Sequence, residues 1–156
     1  VNWDIPEESR ALQAFVRKLI RLRQRYPMLR RGRFLVGAYN EELGVKDVTW
    51  LAPRAEEMAV EHWQDGNNRC MGMLLDGRAQ PTGIRRAGSD ATLLIIVNSH
   101  HDVVNFTLPE VPQGIYWNRL IDTNNPNARA ERFDFSDEYA LTGRSLLLFE
   151  LIKEEE

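Results

Sequence analysis

The sequence predicts a mainly β protein, an antiparallel β-sandwich preceded by one long amphipathic helix. Three observations carry this prediction. Apolar residues recur at helical spacing from Leu12 to Tyr26. Six short apolar or alternating runs follow, rich in β-branched and aromatic residues. Turn-forming clusters, rather than helices, separate those runs, which favours antiparallel sheets over βαβ units.

The helix comes first. Asp4 stands three residues before Glu7, the spacing of a capping box, and Pro6 fits a first turn. Leu12, Phe15, Val16, Leu19, Ile20, Leu22 and Tyr26 then form an apolar stripe roughly 160° wide. Arg10, Arg17, Lys18, Arg21 and Arg25 fall opposite it, and Pro27 stops the helix after about 30 Å. Arg23 falls inside the stripe. Its stem must reach out to solvent, or its guanidinium must pair with a carboxylate on whatever covers the helix.

The strands are "DVTWLAP", "CMGMLL", "TLLIIVN", "VVNFTLP", "YWNRLID" and "SLLLFELI". "LLIIVN-SHHD-VVNFTLP" has the form of a hairpin, with four polar residues between two apolar runs. A further short strand is expected around Ala59–Trp63, although its acidic neighbours weaken the pattern. "PTGIRRAGSD" reads as a connection between strands. A sandwich covers only part of so wide a helical stripe, so another surface is expected against it. The chain opens without methionine and enters the helix almost at once, and the expectation is therefore the tail of a larger protein.

Composition narrows the function classes. The 156 residues fit one domain with an appendage, and 43% hydrophobic content supports a core. No apolar run approaches the ~20 residues of a membrane span, and no signal peptide is recognisable. One cysteine, Cys70, allows no disulfide framework, and a cytoplasmic location is expected. Among apolar neighbours Cys70 reads as a buried small hydrophobe rather than a nucleophile. Charge is uneven: residues 10–40 carry +9 within a net charge of −3, so the remainder carries −12. That basic stretch reads as a solvated helix face, with nucleic-acid binding as the competing reading.

Few residues combine into a chemical site. His100, His101 and Asp102 alone form a cluster with metal-ligand chemistry. On an extended segment the two imidazoles would point to opposite faces, so a solvated hairpin tip is expected and no metal site. His62 has no partner at triad spacing, and neither phosphate-binding glycine loops nor zinc-binding pairs occur. Trp50, Trp63, Tyr116 and Trp117 offer flat surfaces for sugars or bases, but at alternating strand positions aromatics are first of all core. No catalytic residue and no cofactor is expected.

Several blocks nevertheless resemble one family. "NWDIPEESRALQAFVRKLIRLRQRYPMLRRGRFLVG" is similar to the segment of bacterial glycogen debranching enzymes that forms the last barrel helix. The match runs through Trp3, Asp4, Leu19, Ile20, Leu22, Arg23, Tyr26, Pro27, Arg30, Arg31 and Phe34, with Tyr26 replacing the usual His. "DVTWLAPRAEEMAVEHW" resembles a second family block through Asp47, Val48, Trp50, Pro53, Glu57, Met58 and Trp63. Ala55 stands where Gly is usual there, and His62 where Asp is usual. "LLDG", "W.RLIDTNNP" and "YALTGRSLLLFEL" continue the likeness in the family's order, in forms shared widely among α-amylase-type enzymes.

The resemblance implies a fold and a role. Residues 1–40 would be the last helix of a missing (β/α)8 barrel with its linker, and 41–156 the C-terminal sandwich. Leu12, Phe15, Val16, Leu19 and Ile20 would lie against the barrel, and an isolated chain would self-associate through them. The family hydrolyses α-1,6 branch linkages with retention, using a nucleophilic Asp, an acid/base Glu and a further Asp at the barrel rim. All three would precede Val1, so the chain alone is expected to be an inactive accessory domain that meets branched α-glucan through its parent. Weak glucan contacts are assigned to Trp3, Asp4, Trp50, Trp63 and Trp117, with Trp3 and Asp4 read first as a helix cap. The alternatives are a stand-alone glucan-binding module and a basic-helix nucleic-acid binder.

Overall fold

The computed structural model describes residues 6–32, 34–42, 44–79 and 91–153. Trp3 and Asp4, and all of "PTGIRRAGSD", lie outside the described residues. Helix α1 spans Glu7–Arg25, with Pro6 at the N-cap position and no side-chain cap. Glu7 and Glu8 in its first turn and Arg23 and Arg25 in its last complement the helix dipole. Pro27 disfavours a helical conformation at the residue before it, and Tyr26 is extended (φ −104°, ψ 101°). A 3₁₀ turn, Pro27–Arg30, follows.

All six expected strands are present. In chain order the strands are β1 (Tyr39–Asn40), β2 (Val45–Lys46), β3 (Val48–Leu51), β4 (Cys70–Leu75) and β5 (Leu93–Asn98). They continue with β6 (Val104–Thr107), β7 (Gly114–Asp122), β8 (Glu131–Phe133), β9 (Glu138–Leu141) and β10 (Ser145–Lys153). One six-stranded antiparallel sheet has the order β3-β4-β5-β10-β7-β8. β6 and β9 form a second, two-stranded sheet over it, and β1 pairs with β2.

The large sheet is covered on both faces. Toward the small sheet, Leu94, Ile96, Trp117, Leu147, Phe149 and Leu151 pack with Phe106, Leu108 and Leu141. On the outer face, Leu75, Leu93, Ile121 and Leu148 pack with Tyr26 and Met28, and with Phe15 and Leu22 of α1. This explains why "SLLLFELI" is almost continuously apolar: residues on both sides of β10 are buried. A bulge opposite Leu148/Phe149 inserts Leu120 into β7. It lets Ile121 face outward although Trp117 and Arg119 face the inner core.

Two expectations fail. β5 and β6 are not a hairpin, because β5 pairs with β4 and β10 while β6 pairs with β9. The buried Asn98 side chain steers the chain between sheets. Its Oδ1 accepts the His100 amide at 2.9 Å, and its Nδ2 donates to the carbonyls of Asp102, Leu141 and Thr142. Gly143 lies so close that an added Cβ would meet the His101 carbonyl oxygen, leaving room only for glycine.

The second failure is Ala59–Trp63, where a short helix, α2 (Val60–Gln64), replaces the expected strand. Pairing ends at the Leu51–Glu57 bridge and the Met58 amide on Trp50. The Ala59 amide then donates to His62 Nδ1, and the Ala59 carbonyl accepts the amides of His62 and Trp63. Those bonds close a helical turn. β8 and β9 were not expected, since "ERF" and "EYAL" are too short and too charged to stand out.

Candidate functional site

The apolar stripe of α1 divides in two. Phe15 and Leu22 turn onto the outer face of the large sheet. Leu12, Val16, Leu19 and Ile20 remain exposed. At ~100° per residue, these four occupy a band beside the Phe15–Leu22 line, and Arg23 falls in its middle, also exposed. Phe15 therefore belongs to the β-domain's own core rather than to the surface expected for a barrel.

The exposed apolar surface continues beyond the helix. Phe34 and Val36 are 95% and 77% exposed on an irregular segment. Asp47 holds that segment: its carboxylate accepts the Val36 and Gly37 amides at 3.0 and 2.8 Å and lies 3.6 Å from Arg31. Among the described residues, nine of the thirteen large exposed apolar side chains fall within residues 12–63. In the sequence Asp47 stands out only as part of the second family block. Its role as a loop anchor depends on contacts ten and eleven residues away.

The aromatic candidates separate cleanly. Trp50 and Trp63 meet edge to face, with ring centroids 5.6 Å apart, and Trp63 is half exposed. Val60 is exposed on the same short helix. His62 lies 3.5 Å from Glu56, and Lys46 pairs with Glu57. Trp117 is fully buried and its Nε1 donates to the Pro109 carbonyl at 2.8 Å. No face of that indole is open to a sugar, so Trp117 is core. Tyr116 is half-buried with Arg132 stacked over its ring at 4.4 Å.

Two clusters of charged side chains inside the domain are internally paired. Arg119 lies over the rings of Phe133 and Tyr139 and donates to the Tyr139 hydroxyl, which donates to Asp122. Arg119 also pairs with Glu131 at 2.8 Å. Burial raises the Tyr139 hydroxyl above its usual range. Asp76, buried, takes a bidentate bond from Arg78. Lys153 is lowered by burial. Cys70 is buried as expected, and burial pushes its thiol up to about 11.

The His100–His101–Asp102 segment is a bend and not an extended strand. Its imidazoles stack, with centroids 4.3 Å apart and planes 28° apart, instead of pointing to opposite faces. One donor atom from each of the three residues lies within 4.8 Å of the others. Among the described residues no helix is long and apolar enough to cross a membrane.

Together these features define an antiparallel β-sandwich module with a closed core, carrying one amphipathic helix on its outer face. Residues 47–150 match the family model described as "Isoamylase, C-terminal", and the chain belongs to that family. It is 30% identical over 152 residues to the glycogen operon protein GlgX homolog of Mycobacterium tuberculosis, covering 95% of this chain and 21% of that protein. Identity to the isoamylase of Pseudomonas amyloderamosa is 25% over 132 residues, or 85% of this chain and 15% of that one. The chain thus spans about a fifth or less of the relatives it matches. Among solved structures, an isomaltulose synthase mutant from Erwinia rhapontici in complex with D-glucose aligns with a TM-score of 0.44 at 14% identity. That alignment covers 87% of this chain and 17% of the synthase.

Proposed function

We propose that the chain is the C-terminal accessory domain of a cytoplasmic glycogen debranching enzyme that hydrolyses α-1,6 branch linkages. Residues 1–40 serve as the last barrel helix and linker, and 41–156 as the sandwich. The observation that carries this reading is the exposed band Leu12, Val16, Leu19 and Ile20 on a helix whose other large apolar residues, Phe15 and Leu22, are already packed. Burying such side chains is worth ~1.5–3 kcal/mol each, enough in sum to hold a barrel against the sandwich. The alignment with the GlgX homolog supports it, because the match includes the helix as well as the sandwich.

The domain's role is to stabilise the barrel, and hydrolysis belongs to carboxylates of the barrel rim. Reading the source DNA upstream of the Val1 codon tests this. An in-frame barrel with a suitably placed Asp, Glu and Asp is the expected result, and a start codon immediately before Val1 overturns it. Release of reducing ends from limit dextrin by the purified chain alone also overturns it.

A second reading follows from the Trp50–Trp63 pair. With Trp63 half exposed beside Val60, the pair provides an aromatic edge against which a glucan ring can stack. Retarded mobility in a native gel containing glycogen, lost in Trp63→Ala, is the outcome for a glucan-contacting module. Unchanged mobility of the parent chain removes that reading.

A further inference from the structure

The crossover between β5 and β6 gathers chemistry that the proposed function does not use. His100, His101 and Asp102 sit on a bend whose backbone is held from two sides. From below, Asn98 accepts the His100 amide and donates to the Asp102 carbonyl. From the side, the Arg144 amide donates to the His100 carbonyl at 2.9 Å, with Gly143 packed directly on the His101 carbonyl. The bend is thus fixed before any ion arrives, while His101 and Asp102 remain exposed.

Distances then select a ligand class. His101 Nε2 lies 3.0 Å from Asp102 Oδ2. Two donors each about 2.0–2.2 Å from one zinc-like ion are separated by about 2.8–3.4 Å, so this pair already has the bite of neighbouring ligands. His100 is stacked on His101 and supplies the third donor. Its Nδ1 accepts the Asp102 amide at 3.0 Å, so joining the ion requires a ring rotation that gives up that bond. Two imidazoles and one carboxylate suit borderline first-row divalent ions and discriminate against the hard, oxygen-seeking Mg²⁺.

We propose that the β5–β6 bend is a surface site for a first-row divalent transition cation, held by His101, Asp102 and His100, with water in the remaining positions. An ion bound there ties the crossover between the two sheets.

Calorimetric titration of the 156-residue chain with NiCl₂, ZnCl₂ and MgCl₂ tests the site. One equivalent of Ni²⁺ or Zn²⁺ is expected, no Mg²⁺ binding at the same concentrations, and a higher melting temperature in the loaded chain. His101→Ala and Asp102→Asn, both at exposed positions, are each expected to weaken binding at least about tenfold. His62→Ala, at the one remaining histidine, is expected to leave binding unchanged. Absence of binding, equal affinity for Mg²⁺, or binding that survives both bend substitutions overturns the proposal.

Discussion

The side-chain amide of Asn98 donates to the backbone carbonyl of Thr142 at 3.1 Å, joining points 44 residues apart in the chain. The same nitrogen donates to Leu141 and Asp102, so one buried amide holds the end of β5, the start of β6 and the turn after β9. Asn98→Ala leaves those carbonyls without donors and is expected to cost about 2–3 kcal/mol. Asn98→Asp is expected to be worse, since a carboxylate would face carbonyl oxygens. Urea unfolding monitored by tryptophan fluorescence measures both. A loss within experimental error for Asn98→Ala would show that the crossover does not depend on this side chain.

Ala55 occupies a left-handed conformation (φ +62°), where a Cβ is unfavourable. Its amide closes a turn onto the Ala52 carbonyl at 2.9 Å, so the backbone has little freedom to relax. The resembling family block has glycine here. Ala55→Gly is therefore expected to stabilise the chain by about 1 kcal/mol, read as a raised urea midpoint with unchanged slope.

Stability is expected to fall in alkali. Burial raises Cys70 from 9.0 to about 11, and burial together with Glu150 raises Tyr26 well above 10.0. Both groups ionise more readily in the unfolded chain, which therefore binds fewer protons than the folded chain above about pH 9. The Cys70 contribution is intact below that point and is lost as pH rises toward 11. Urea midpoints at pH 7.5, 9 and 10.5 should decline, and Cys70→Val should decline less. A flat profile in the parent chain would contradict the burial of both groups.

Leu19 and Ile20 are exposed on α1, and the isolated chain is expected to associate through them. Leu19→Glu combined with Ile20→Glu should lower the mass seen by light scattering without lowering the urea midpoint. A parent chain that stays monomeric at high concentration would refute this.

Trp117 and Trp63 should respond in opposite ways. Trp117→Ala removes a fully buried indole and its bond to Pro109, at about 3–5 kcal/mol, while Trp63→Ala at a half-exposed position should cost under about 1 kcal/mol. Denaturation curves of the two variants check this. If Trp63→Ala proved as damaging as Trp117→Ala, its indole would be a structural element and no free edge.

Local pattern made much of this architecture legible. The helical spacing from Leu12 to Tyr26 and the stop at Pro27 located α1. "CMGMLL" became β4 without adjustment, because its apolar residues and flanking turns are local signals. The glucan candidates were less legible, since an indole in an apolar run does not reveal whether it will be buried in a strand, as Trp117 is in β7, or exposed on a short helix, as Trp63 is on α2.

By itself, then, the sequence determined the six main apolar strands and the position of the one long helix, because those follow from spacing and turn chemistry within a few residues, whereas α2, β8 and β9 carry no such local signal. Only the tertiary structure decided which strands pair and which side chains meet. The apparent hairpin of β5 and β6 was parted by Asn98 reaching Leu141 and Thr142. The imidazoles of His100 and His101 were stacked by a bend packed against Gly143. Phe15 and Leu22 were separated from their neighbours on α1 by the outer face of the sheet. Each of these depends on groups distant in sequence competing for one buried position, and no local periodicity records that competition.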